Sequence, residues 1–279
     1  MLEHWFLLAL AAGVFSVLFN TLNRHHLQKG NDSTAYAWWF EFYRACFFAV
    51  FLFFDFQFSF SWQNLIALLI LGCSEFIAVY CFMKMHSRMN LSVSSVVTQL
   101  RIFLVPLMAF LFLGELLAPN VYMGIGLLAV GLWLTVSLAG LRDTNGGIKY
   151  ALVFAVASAF SSVLTKYVSG FASVSVIMFA FSAVPVILLP FFMNKRRGRL
   201  LHSFINYKEK SFFAALANIG TLLLLGYAYK VGSVTQITGV FLSMFVGNVL
   251  IGTLFMKEKL SIKQVVGMLL VLLAIALLY

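Results

Sequence analysis

Along this chain the apolar residues neither alternate with polar ones nor keep to one helical stripe. They fill runs of about twenty positions separated by short polar breaks, the pattern of segments buried on all sides. The runs lie near 5–22, 35–54, 64–83, 92–113, 121–138, 148–168, 174–193, 211–229, 236–256 and 263–279. A helix crossing about 30 Å of hydrocarbon needs roughly 20 residues, so ten spans and short loops fill the chain. A membrane barrel would instead show alternating segments of roughly ten residues. The pattern therefore predicts an all-α integral membrane protein with ten transmembrane helices. The first run contains Ala9-Leu10-Ala11 and resembles a signal-peptide core, but Met1-Leu2-Glu3-His4 lacks the usual Lys or Arg, so it is read as a spanning helix.

Composition sharpens this picture. Of 279 residues 62% are hydrophobic and 10% charged, where a soluble chain carries about 25% charge. No large soluble domain fits. The net charge of +10 would suggest nucleic acid for a soluble protein. Here the excess sits between apolar runs, where Lys and Arg set orientation and meet anionic lipid, so membrane lipid is the expected partner and nucleic acid is not. Odd-numbered connections carry the positive charge, including Lys195, Arg196, Arg197, Arg199, Lys208 and Lys210, while the even-numbered ones carry only Lys166 and Lys230. The positive-inside rule then places both termini outside. The break from Asn194 to Lys210 reads as a solvated cytoplasmic loop. Cys46, Cys73 and Cys81 lie inside apolar runs without CxxC spacing and read as buried free thiols.

The chain repeats itself. Phe112-Leu113-Gly114-Glu115-Leu116 followed by Gly124 matches Phe255-Met256-Lys257-Glu258-Lys259 followed by Gly267, each pair separated by 143 positions. Ala12-Gly13-Val14-Phe15-Ser16 matches Ala157-Ser158-Ala159-Phe160-Ser161 at a separation of 145. Such self-similarity reveals architecture more securely than single motifs. Two halves, 1–140 and 146–279, would each hold five helices. An odd number of crossings inserts the second half upside down, giving two inverted five-helix repeats of the kind found in many secondary transporters.

These residues resemble the EamA-like transporters of the drug/metabolite transporter superfamily. The resemblance spans the whole chain and rests on the two five-helix halves, on Pro106 before Leu113-Gly114-Glu115-Leu116 and Gly124, on the echo Glu258, Leu260 and Gly267, and on Arg44 early in the second span. It implies an inner-membrane, multi-pass carrier that moves small metabolites, amino acids or drugs through a cavity lined by both halves, with helices five and ten at the periphery. Two features depart from the family pattern. Val249 stands where the second half would echo Pro106, and the connection Asp55–Asn64 carries no Lys or Arg. Members commonly have a basic residue there and cytoplasmic termini, so family habit and charge count point in opposite directions.

Ionisable groups inside spans are costly and mark functional sites by default. Glu41 and Arg44 share one face of helix two at i,i+3 spacing. Glu75 falls in helix three, roughly 12 Å from the membrane face, Arg101 in helix four, roughly 15 Å deep, and Glu41 and Arg44 roughly 9 to 13 Å deep. The four reach one level. Arg101 is suited to hold a carboxylate in a bidentate fork, and Glu75 to meet an ammonium group or carry a coupling proton. Neutralising structural ion pairs are the alternative reading of the same residues. Trp38, Trp39, Phe40 and Tyr43 start helix two as an interfacial belt or as a ligand wall with Tyr80. Asn20, Gln99, Lys166, Asn218, Gln236 and Asn248 line a cavity or bond between helices. Glu115 and Glu258 read as helix-end residues.

No HExxH, GxSxG, GxxxxGK or GxGxxG occurs, and the five His lack ligand spacing. The sequence thus calls for no catalytic residue, cofactor or metal. The expectation is a secondary active exporter or exchanger of a small polar or zwitterionic metabolite, driven by a gradient with a proton as candidate coupling ion, in a monomer or homodimer. A multidrug exporter of the same fold, a membrane enzyme and a receptor are the alternatives.

Overall fold

A computed structural model of the chain describes residues 4–27, 32–88, 99–135, 146–192, 199–244, 246–247 and 262–278. Ten helices of ten residues or more are found among them: α1 (His4–Leu27), α2 (Ser33–Leu52), α3 (Trp62–His86), α4 (Arg101–Leu113), α5 (Pro119–Thr135), α6 (Gly147–Val168), α7 (Val174–Leu188, continued by a 3-10 turn to Phe192), α8 (Arg199–Val231), α9 (Val234–Ser243) and α10 (Ile262–Leu278). Polar residues start several of them. The side chains of Asp32, Ser61, Ser173 and Ser233 accept from free backbone N–H groups in the first turns of α2, α3, α7 and α9, as N-caps do.

Five stretches are individually long and apolar enough to cross a bilayer: His4–Asn23, Trp62–His86, Gly147–Val168, Val174–Phe192 and Tyr207–Val231. The expected ten are therefore matched only in part among the described residues. Helices α4, α5, α9 and α10 contribute shorter apolar stretches, and α2 carries Glu41 and Arg44 near its centre. The apolar runs 92–113 and 236–256 continue into residues 89–98 and 248–261, which lie outside the described ones, as do Asn248, Val249 and Glu258.

The break between 194 and 210 differs from expectation. Residues 199–210 are not a loop but the first turns of α8. Tyr207 anchors them: its ring packs edge-on against Tyr36 and its hydroxyl accepts from the backbone N–H of Asp32. The buried Ser211 hydroxyl donates to the Tyr207 carbonyl, while Lys208, Glu209 and Lys210 stay exposed. Lys and Glu are good helix formers, so charge alone does not end a helix.

The packing partners obey an exchange rule that maps each helix onto the one five places later. Helix α1 packs on α8, and α6 packs on α3; α2 meets α8 as α7 meets α3; α4 meets α6 as α9 meets α1; and α2–α7, α4–α9 and α5–α10 pair with themselves. The two halves are thus alike in packing as well as in sequence. Helices α5 and α10 approach closely at Gly131, where a Cβ would come within 2.7 Å of the Gly267 carbonyl oxygen.

The outer surface is apolar. Phe53, Phe54, Phe60, Trp62 and Leu116 are each more than 70% exposed, an arrangement that suits hydrocarbon rather than water. Cys46 and Cys73 share that outer surface, and only Cys81 is buried. The reading of all three as buried thiols holds for one, because helices lipid-facing on one side place apolar residues outward as readily as inward.

Candidate functional site

A cavity of about 210 Å3 lies between the halves. Helices α1, α2, α3 and α4 contribute to its wall from the first half, and α6, α7, α8 and α9 from the second. Among the described residues neither α5 nor α10 contributes to it.

The repeat is written on the cavity wall. From α1 come Gly13, Ser16 and Asn20; from α6, at a separation of 145, come Ser158, Ser161 and Thr165. From α3 come Glu75, Ala78 and Phe82; from α8, at a separation of 143, come Asn218, Thr221 and Leu225. Gln99 and Arg101 are matched at the same separation by Leu242 and Met244. Spacings of three, four and seven keep each set on one helical face.

Charge is distributed unevenly over this symmetric frame. Arg44, Glu75 and Arg101 all belong to the first half, and among the described residues the second half supplies no Asp, Glu, Lys or Arg to the wall. Arg44 is 1% exposed and is ion-paired with Glu41, donating from Nη1 to Oε1 at 2.7 Å. The i,i+3 spacing on α2 thus delivers the contact the sequence predicts. The Arg44 guanidinium lies 5.1 Å above the Phe40 ring. Its Nε and Nη2 have no hydrogen-bond partner. Arg101 donates from Nη2 to the Ser162 hydroxyl at 3.4 Å, which ties α4 to α6, and its Nε is also unpartnered. Glu75 stands within electrostatic reach of both Arg44 and Arg101. On the acceptor side, Gln99 Oε1 and Asn218 Oδ1 are buried without partners. Buried polar atoms are nearly always satisfied, so unpartnered donors and acceptors converging on one cavity are poised for a ligand with both acceptor and donor groups.

Among the described residues α4 begins at Arg101. The ladder opens there with the tight bonds Ile102 N–H to Gln99 O and Phe103 N–H to Leu100 O, as first turns commonly do. The long side chain carries the guanidinium into the cavity.

Of the other sequence candidates, Asn20, Gln99 and Asn218 line the cavity. Tyr80, Trp39, Tyr43, Lys166, Gln236 and Glu41 do not, although Glu41 reaches it through Arg44. Trp39 and Tyr43 belong to a lattice with Trp38 and Phe42 that packs on Phe212 of α8. Tyr80 stacks on Phe76 beside Phe192, with the Lys84 ammonium 5.7 Å from its ring. The rings of Trp39 and Tyr43 stand off the cavity because they lie on a different side of α2 from Phe40 and Arg44, which reach the wall.

Lys166 has a structural task. It donates to the carbonyls of Tyr229 and Gly232 at 2.7 and 2.9 Å, capping the C-terminus of α8, where positive charge is favoured. Glu115 completes that corner. Gly114 ends α4 in the left-handed conformation at φ 64°, which suits glycine. The chain is thereby turned so that Glu115 Oε1 accepts from Val234 N–H and Oε2 from the Thr235 hydroxyl, at 3.2 Å each. The Gly-Glu motif of the first half thus caps a helix of the second.

Of the aromatics the sequence set around Glu41 and Arg44, Phe40 does reach the wall, whereas sequence reading passed over Ser16, Ser161, Ser162, Thr165 and His86 as wall residues. For the serines a signal was present: the match at a separation of 145 already paired Ser16 with Ser161.

The family model of the EamA-like transporters matches the chain twice, over residues 4–137 and 145–279. Among solved structures 28 chains match. One crystal structure superposes with a TM-score of 0.71 over 99% of this chain and 98% of its own, at 15% identity, a likeness of fold. No curated protein matches.

Proposed function

Because the chain belongs to the EamA-like transporter family, and so is a multi-pass membrane transporter of the drug/metabolite transporter superfamily, we propose that it is a secondary active carrier of a small zwitterion such as an amino acid. In this reading its ten helices span the cell's inner membrane as two inverted repeats, 1–140 and 146–279, and the cavity between them opens alternately to the two sides. The observation that carries the proposal is the convergence of Arg44, Glu75 and Arg101, with unpartnered donors and acceptors, on one cavity walled by both halves. Arg101 and Arg44 take the carboxylate through charge-assisted hydrogen bonds. Glu75 takes the ammonium group or, in exchange, a proton. The cavity volume favours a metabolite over a drug: about 210 Å3 falls below the roughly 300–1,000 Å3 of sites for drug-sized ligands.

The test is a thermal-shift and flux comparison of the purified protein with Glu75→Gln and Arg101→Ala. A zwitterion at one hundred times its dissociation constant stabilises wild type by about 2.7 kcal/mol. Both variants are expected to fold, to lose that stabilisation and to lose flux in vesicles. Unchanged flux in both variants rejects the assignment.

A further inference from the structure

We infer that the substrate's body, opposite its charged head, is uncharged and apolar, and that Asn218 and its neighbours on the second half enforce this. The inference rests on the zwitterion reading above and adds to it what the rest of the molecule must be.

The argument comes from broken symmetry. A cavity built by two like halves offers each half the same chance to place charge. At matched positions the first half holds Glu75 and Arg101, and the second holds Asn218 and Met244. Both members of each pair reach the wall, so the difference lies in chemistry and not in placement. On the same wall as Asn218 the second half presents Met178, Phe181, Leu222 and Leu225, with Phe241 from α9 and Met244 just past its end. The polar atoms it does offer are hydroxyls and one amide. The hydroxyls of Ser162 and Thr165 already donate to backbone carbonyls of their own helix. Asn218 Oδ1 is left without a partner.

A second charge on the substrate would meet no opposite charge on this wall. Burying an unpaired ion is far costlier than burying a methylene chain. An acidic or basic side chain would therefore be rejected, while an aliphatic or aromatic one would gain by leaving water. Rejection by an unmet charge is the stronger discriminator, since a hydrophobic surface alone separates close analogues weakly.

The experiment is competition binding on the full-length protein with leucine, phenylalanine, glutamate and lysine, repeated on Asn218→Asp. That substitution nearly keeps the shape of the side chain and restores to the second half the carboxylate its mate Glu75 carries. Wild type should bind leucine and phenylalanine at least about tenfold more tightly than glutamate or lysine, the span of roughly 1.4 kcal/mol. Asn218→Asp should admit lysine at least tenfold more tightly than wild type does. Phe181→Ala, which leaves every charge in place, should move preference from leucine toward the larger phenylalanine and tryptophan and still exclude lysine. Equal binding of all four amino acids by wild type overturns the inference while leaving the zwitterion site intact. Continued exclusion of lysine by a folded, leucine-binding Asn218→Asp overturns the role of Asn218. If no amino acid binds wild type, the underlying zwitterion reading falls and the inference with it.

Discussion

Glu41 and Glu75 are both carboxylates set among apolar helices, and their surroundings divide them by task. Glu41 is fully buried and locked to Arg44 at 2.7 Å. Glu75 faces the cavity, and among the described residues no cation lies within ion-pairing distance of it. Removing one partner of a buried pair leaves the other uncompensated, at a cost of about 3–5 kcal/mol. Glu41→Gln should therefore lower the melting temperature in detergent sharply, whereas Glu75→Gln, which breaks no ion pair at contact distance, should lower it by clearly less. Equal melting temperatures for the two variants would show that Arg44 is held by something other than Glu41. The four charges were legible in the sequence because a charge in an apolar run has to be explained energetically. The serines were not, since a hydroxyl in a helix satisfies itself on the carbonyl four residues back, as Thr165 does on Ser161. Only their spacing between halves sets them apart.

At the scale of elements, the corner between α8 and α9 shows how one half fastens the other. Lys166 caps the end of α8, and Glu115, arriving from the first half, caps the start of α9. Val234 and Thr235 are buried, so the carboxylate that meets them stands in for solvent. Glu115→Gln keeps one acceptor and loses the charge facing the positive end of α9. Glu115→Ala loses both bonds and should destabilise the protein by about 1–3 kcal/mol, the range for stranded buried donors. Neither touches the cavity wall, so ligand affinity should stay within about twofold in a thermal-shift titration, a difference of roughly 0.4 kcal/mol. A large loss of affinity at unchanged stability would instead make Glu115 part of the binding site. Among the described residues the ten helices follow the order of the ten apolar runs. The start of α8 was not readable from them, because a polar stretch fixed by one buried ring, Tyr207 on Tyr36, is decided by a contact distant in sequence.

For the whole molecule, the proposed alternating access would require that one end of the cavity be closed while the other opens, and the ties between halves give the candidate closed end. The connection after α2 and the connection after α6 join through backbone bonds from Ser59 N–H to Phe171 O and from Ser173 N–H to Gln57 O. Beside them the Ser173 and Ser175 hydroxyls donate to Asp55. At the same end Glu115 holds the start of α9. Phe58 and Ala172 face each other as the non-hydrogen-bonded pair of that bridge, where Cα atoms stand about 4.5 Å apart, within the roughly 4.4–6.8 Å a disulfide accepts. Replacing both by cysteine, with Cys46, Cys73 and Cys81 changed to alanine, should therefore produce a cross-link on oxidation without distortion. If this end opens during each cycle, the oxidised protein binds its ligand with normal affinity and stops transporting, and reduction restores flux. Transport at an undiminished rate with the cross-link complete would mean that the two halves do not part here, and the rocking of one repeat against the other would have to be sought about a different line.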